Sequence, residues 1–134
     1  MKKIDSICII DDDPITVFGM QKMLSLAVDC PQVESFVNGK TAIEEIKKNF
    51  KNTGKLPEVI FLDLNMPIMD GWQFLDEFVK IPTSEKIRVN IITSSIDRHD
   101  KEKWKLYQKK THHVIDYNEK PLYKAEVARI TKKA

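Results

Sequence analysis

Five short apolar segments, each separated from the next by a stretch of helical periodicity or by turn residues, constrain this chain more than any other feature. They are Ile4 to Ile10, Val33 to Phe36, Val59 to Leu62, Val89 to Ile92 and His113 to Ile115. Apolar runs of this length bounded by turn signals read as buried strands. Strands that alternate with amphipathic helices pair in parallel, and the helices cover both faces of the sheet. The expectation is an α/β fold with five parallel strands and five helices.

The intervening stretches carry their own start and stop signals. Asp13-Pro14 offers a side-chain acceptor at the N-cap and proline at the first helical position, and Val17, Met20, Leu24 and Ala27 then recur at helical spacing. Asn38-Gly39 turns into a second helix with the stripe Ala42, Ile43, Ile46 and Phe50, which is expected to end before Asn52. Asp70 and Gln73 stand in a capping-box relation at the start of a third helix, whose Phe74, Leu75 and Phe78 face inward and which Pro82 closes. The fourth helix, about Asp97 to Lys109, has only Trp104, Leu106 and Tyr107 to bury, so local pairs must supply much of its stability. A last helix is expected from about Leu122 to Thr131.

Chemistry concentrates where the strands end. Asp11-Asp12-Asp13 follows the first strand and Asp63 follows the third, just before a turn marked by Pro67 and Asp70-Gly71. The fourth strand leads into Thr93-Ser94-Ser95, and the fifth leads through Asp116-Tyr117-Asn118-Glu119 to Lys120-Pro121. In open parallel sheets the carboxyl edge is where loops converge on a crevice. Crowded carboxylates repel and raise one another's pKa unless a cation neutralises them, and an oxygen-only donor set suits a hard ion such as Mg²⁺. Asp13 is better placed to cap its helix than to bind metal. His99, His112 and His113 have no metal-ligand spacing and read as structural or exposed.

The order of Asp11-Asp12, Asp63 with Asn65-Met-Pro67 and Asp70-Gly71, Thr93, and Lys120-Pro121 resembles the receiver domain of bacterial two-component response regulators. The resemblance spans nearly the whole chain. It implies a doubly wound, flavodoxin- or CheY-like sheet with strand order 2-1-3-4-5, and a single receiver domain over residues 1–134 with no output domain. By the same resemblance Asp63 accepts a phosphoryl group from a histidine kinase's phosphohistidine. Mg²⁺ is held by Asp12 directly, by Asp11 mainly through water, by Asp63 and by the backbone carbonyl of Asn65. Thr93 and Lys120 contact the phosphoryl oxygens. Tyr117 matches the aromatic that follows Thr93 inward, remodelling a partner-binding face of helix four, strand five and helix five. The Lys120-Pro121 bond resembles a peptide frequently cis in receivers. The implied partners are a sensor histidine kinase or phosphotransfer protein and a downstream protein, and an alternative role is to pass phosphate on to a phosphotransfer histidine.

Two rivals remain at this point. The acidic triplet also fits the Asp-x-Asp of haloacid dehalogenase-type phosphatases, but Ile15 stands where such enzymes usually have Thr or Val, and a late acid pair is missing. A receiver-shaped scaffold that binds partners without phosphorylation would be expected to lack one of Asp12, Asp63, Thr93 or Lys120. Composition narrows the field further. The net charge of +2 argues against nucleic acid as the main partner, although Lys101, Lys103, Lys105, Lys109 and Lys110 crowd one segment. No apolar run approaches the ~20 residues of a membrane span. Cys8 and Cys30 are too few for a disulfide framework, which suits a reducing, cytoplasmic setting.

Overall fold

The computed structural model describes all 134 residues. Strand β1 (Lys2–Lys3) precedes β2 (Ser6–Ile10), α1 (Pro14–Ala27), β3 (Val28–Asp29), β4 (Gln32–Phe36) and α2 (Gly39–Thr53). Then come β5 (Val59–Leu62), α3 (Gly71–Phe78), β6 (Arg88–Thr93), α4 (Arg98–Lys110), β7 (Val114–Glu119) and α5 (Lys124–Ile130). The main sheet is ordered β4-β2-β5-β6-β7 with every neighbour parallel, which is the expected 2-1-3-4-5 once the two-residue strands are set aside. Those two, β1 and β3, form a small parallel pair of their own.

Each face of the sheet is sealed differently. On one, Ile10, Ile60, Leu62 and Ile91 pack under Ala42, Ile43 and Ile46 of α2 and Phe74, Leu75 and Phe78 of α3. On the other, Ile7, Ile9 and Phe61 pack under Met20 and Leu24 of α1 and Val127 and Ile130 of α5. The central strand β5 is buried at every residue, as a strand covered on both faces must be. Asn90, fully buried in β6, reaches the Ile130 carbonyl at 2.9 Å and ties the sheet to α5.

The caps form as their residue types dictate. Asp13 accepts from the Ile15 N–H, Asn38 from Thr41, and Asp97 from His99, while Asp70 and Gln73 complete both halves of a capping box. Helix α4 buries no residue, in keeping with its sparse apolar content. Side chains from α4 dock it instead onto the free edge of β7. Gln108 accepts from the Ile115 N–H at 2.9 Å and donates to the His113 carbonyl at 3.0 Å, and the Trp104 indole N–H donates to the Ile115 carbonyl at 2.6 Å. Backbone groups that a sixth strand would otherwise pair are thereby satisfied.

Several boundaries depart from expectation. The first strand breaks after Lys3, because Ile4 donates to the Asp29 carbonyl and Asp5 to the Glu58 carboxylate before the chain joins the main sheet at Ser6. Helix α2 continues through Asn52 to Thr53 and stops at Gly54, whose φ of 72° is the left-handed cap conformation. Helix α3 stops at Phe78, well before Pro82. Short-range bonds from Lys80 to Glu77 and Ile81 to Phe78 tighten the exit and bury Ile81. Strand β7 runs on through Asp116 to Glu119 because β6 extends to Thr93 and offers backbone partners, so pairing overrides polarity. Helix α5 is shorter than expected at both ends, since Tyr123 serves as its N-cap with its N–H donating to Glu126 at 3.3 Å.

Candidate functional site

Two loops at the carboxyl edge of the sheet bring the singled-out acids together. Asp11 leaves β2 and Asp63 leaves β5, and these strands are neighbours paired Ile10 to Leu62, so the two carboxylates emerge side by side. One oxygen each from Asp11, Asp12 and Asp63 lies within 4.8 Å of the others. Asp11 and Asp63 are only 4% and 6% exposed, whereas Asp12 faces solvent. Asp13 turns away into its capping role, and the Thr16 hydroxyl and Ile15 N–H hold its carboxyl below the usual range.

The loop after Asp63 is shaped by Gly71. A Cβ there would stand 2.5 Å from the Asp63 carbonyl oxygen and 2.9 Å from the Leu64 Cα, so only glycine lets α3 start this close to the strand end. The Gly71 N–H donates to the Leu64 carbonyl at 2.9 Å and closes the turn that carries exposed Asn65.

Lys120 completes the cluster from the far side of the sheet. Its ammonium lies 3.0 Å from Asp11 and 3.5 Å from Asp63, and the peptide bond after it, to Pro121, is cis. Burial works against the ammonium, but the hydrogen bond and charge of Asp11 and the charge of Asp63 prevail and hold its pKa above the ordinary value. Asp63 is shifted upward to about 6, first by burial and then by the charge of Asp11, against the opposing pull of Lys120. One cation is therefore shared between two buried acids, and the negative charge remains in excess.

Thr93, fully buried at the end of β6, does not contact the acids. Its hydroxyl oxygen accepts from the Ser95 N–H at 3.0 Å. Tyr117 on β7 is half-buried, tilts against Trp104 with ring centroids 5.8 Å apart, and reaches the Ser95 carbonyl at 3.4 Å. Both residues thus converge on Ser95, which the sequence offered only as one of three hydroxyls. Ser95 in turn donates to Asp100 at 2.6 Å, and Asp100 accepts the Trp72 indole N–H at 3.0 Å. The one signal of this contact in the sequence was an acid in the first turn of a helix, a common and uninformative feature. The three histidines stay away from the acids. His113 is buried and accepts from the Ile87 N–H at 3.0 Å, and His112 contacts the Glu85 carbonyl.

The donor set of the acidic cluster fits a small hard cation. It consists of carboxylate oxygens with no sulfur or imidazole, and it holds an acid, Asp63, whose pKa is raised first by burial and then by the charge of Asp11. No helix of the protein is long and apolar enough to cross a membrane.

Comparison with known proteins agrees with this architecture. The chain is 31% identical over 136 residues to hybrid signal transduction histidine kinase L of Dictyostelium discoideum, an alignment covering 98% of this chain and 7% of the kinase. It spans from 7% to 42% of the length of the curated relatives it matches, less than half of each. A two-component response regulator from Cytophaga hutchinsonii superposes with a TM-score of 0.79 at 28% identity, covering 96% of this chain and 95% of that one. CheY in the CheX-CheY-BeF3-Mg²⁺ complex of Borrelia burgdorferi is a more distant likeness, with a TM-score of 0.71 at 22% identity over 93% of this chain and 84% of that chain. Finally, the profile of the response regulator receiver domain matches residues 7–130. With its sheet order, its paired strand-end acids and this match in agreement, the chain belongs to the response regulator receiver domain family, the phosphoacceptor module of two-component signalling.

Proposed function

We infer that Asp63 is the phosphoacceptor of this receiver, taking a phosphoryl group from the phosphohistidine of a sensor kinase or phosphotransfer protein in the cytoplasm. The observation that carries the reading is the placement of Asp63 at the centre of the cluster, within reach of Lys120 and beside Asp11 and Asp12. A carboxylate oxygen of Asp63 attacks phosphorus as the bond to the donor imidazole breaks, leaving an acyl phosphate on Asp63 and a free histidine on the donor. Asp11, Asp12, Asp63 and the Asn65 carbonyl would hold Mg²⁺. When bound, the ion supplies positive charge that offsets repulsion between the carboxylates and the incoming phosphoryl oxygens.

The chain's own groups do the rest. Lys120, already drawn into the site by Asp11, is poised to exchange part of that contact for a phosphoryl oxygen through a charge-assisted hydrogen bond. Thr93 is the proposed second donor, and its turn toward Asp63 would free space for Tyr117 to move inward. The readout face then comprises α4, β7 and α5, with Trp104, Tyr107 and Tyr117 on or near it, and it meets a downstream protein. The 134 residues act as one receiver unit in this reading.

Incubation with acetyl phosphate and Mg²⁺ tests the assignment. One phosphoryl group per chain, labile to hydroxylamine and absent from Asp63→Asn, is the expected result. Undiminished labelling of that variant would move the nucleophile to another residue, and sustained turnover of small phosphate esters would indicate a phosphatase instead.

A further inference from the structure

Ser95 is the point at which the proposed site touches a second network. Its N–H donates to the Thr93 hydroxyl oxygen and its carbonyl accepts from Tyr117. Its own hydroxyl donates to Asp100 at 2.6 Å and also accepts from the Asp97 N–H at 3.2 Å. Asp100 stands in the first turn of α4, and its other oxygen holds the Trp72 indole N–H on α3 at 3.0 Å. Trp72 then stacks on Tyr107 of α4 at 5.3 Å between ring centroids, and the Lys103 ammonium lies over its ring. Tyr107 closes the circuit by donating to Asp76 of α3.

The Asp100 carboxylate therefore joins three elements, the loop after β6, α4 itself and α3, through polar contacts that lie beside the partly buried packing of Trp104 and Tyr107. Hydrogen bonds to an ionised carboxylate are stronger than neutral ones, and this carboxylate also lies where the amino-terminal end of α4 favours negative charge. The consequence falls on Thr93. If its side chain swings toward Asp63 while the loop stays in place, the Ser95 N–H loses its acceptor in a partly buried position. If the loop travels with it, the Ser95 to Asp100 bond must break.

We propose that Ser95, Asp100 and Trp72 form a latch that holds α4 against α3 and opposes the movement of Thr93 toward the phosphoryl group, making Ser95 and Asp100 positioning residues for the switch. The latch adds to the proposed function, since it sets how readily Asp63 chemistry is felt at α4. Phosphorylation and latch closure are linked, so weakening the latch strengthens binding of the phosphoryl state by the same factor.

Beryllofluoride binding in excess Mg²⁺ tests this in the parent, Asp100→Ala, Ser95→Ala and Thr93→Ala, and in the double variant Asp100→Ala/Thr93→Ala. Asp100→Ala removes the bonds from both Ser95 and Trp72, and freeing Ser95 should raise beryllofluoride affinity about fivefold, a gain that should vanish when Thr93 is also replaced. The Trp72 indole N–H resonance, followed without ligand, should move in Asp100→Ala and stay in place in Thr93→Ala. Unchanged affinity in Asp100→Ala with a displaced indole resonance would overturn the latch as a control on the switch and reduce it to a structural contact. An equal gain in the presence and absence of the Thr93 hydroxyl would overturn it as well. Failure of the parent to bind beryllofluoride, or equal binding by Asp63→Asn, would instead strike the phosphoacceptor assignment, which the indole measurement leaves untouched.

Discussion

Helices α3 and α4 lie side by side on the same face of the sheet, yet they are held by opposite means. Helix α3 buries Gly71, Trp72, Phe74, Leu75 and Phe78 and begins with a complete capping box. Helix α4 has no fully buried residue; only Trp104 and Tyr107 rest partly buried against the core, and side-chain bonds from Gln108, Trp104, Asp100 and Tyr107 do most of the holding. Apolar burial is non-directional and has one good solution in a packed core, so α3 is fixed with the fold itself. Polar contacts near solvent are each worth little net and are exchangeable for water, so α4 can be repositioned at small cost. The neighbouring loops follow the same division: the Asp63 loop leads into the anchored helix, and the Thr93 loop leads into the adjustable one.

The largest effect that would break this contrast lies in α3. Phe78 is fully buried, stacked near Phe74 and tilted over His113, and Phe78→Ala should cost about 3 to 5 kcal/mol in chemical denaturation. A loss as small as that of a surface substitution would show that α3 is not core.

His113 sits where the two supports meet, with Phe78 of α3 above it and Gln108 of α4 on its carbonyl. Burial, aided by His112, pushes its pKa down to about 4 from an ordinary 6.5. The folded protein therefore binds this proton less well than the unfolded chain. The stability it contributes is complete above pH 6.5 and is lost as pH falls toward 4, by on the order of 2 kcal/mol after allowance for screening. Denaturation midpoints in an Asp63→Asn background should show the decline, and His113→Gln should flatten it while leaving an acceptor for the Ile87 N–H.

Asp63 works in the opposite direction. Its raised pKa means that the folded state holds the proton more tightly, so the ionised carboxylate costs stability above about pH 6 and the cost fades as pH falls toward 4. Asp63→Asn should gain about 1 to 2 kcal/mol at pH 8, discounted for solvent at the mouth of the site, and nothing near pH 4. Saturating Mg²⁺ should shrink the difference at pH 8, and a parent that already matches the variant there would contradict the crowding argument.

The smallest effect belongs to α4. Gln108→Ala removes two bonds to the edge of β7 and should lower the protection of α4 amides against hydrogen exchange by about 1 kcal/mol, with α3 amides unchanged. Equal loss in both helices would mean that they open as one unit and would remove the contrast.

The fold class was legible because it rests on local patterns. Burial on both faces leaves strands such as Val59 to Leu62 uniformly apolar, and caps such as Asp13-Pro14 and Asp70-Gln73 act within a few residues. The acids were legible because each stands directly at a strand end. Less could be read where pairing, not polarity, set the boundary: β7 continues through Asp116 and Asn118 only because β6 is there to bond them. Ser95, Asp100 and Trp72 lay in three different elements, and no periodicity connects them.

By itself the sequence determined the alternation of strands and helices, the gathering of Asp11, Asp12, Asp63, Thr93 and Lys120 at one edge, and the thin apolar content of α4, because each depends on residue type over short range. The tertiary structure alone decided that Lys120 is shared by Asp11 and Asp63, that Thr93 is engaged with Ser95, and that Asp100 bridges α4 to α3. Hydrogen bonds and charge effects act over a few ångströms, and only the folded backbone brings residues so distant along the chain within that range.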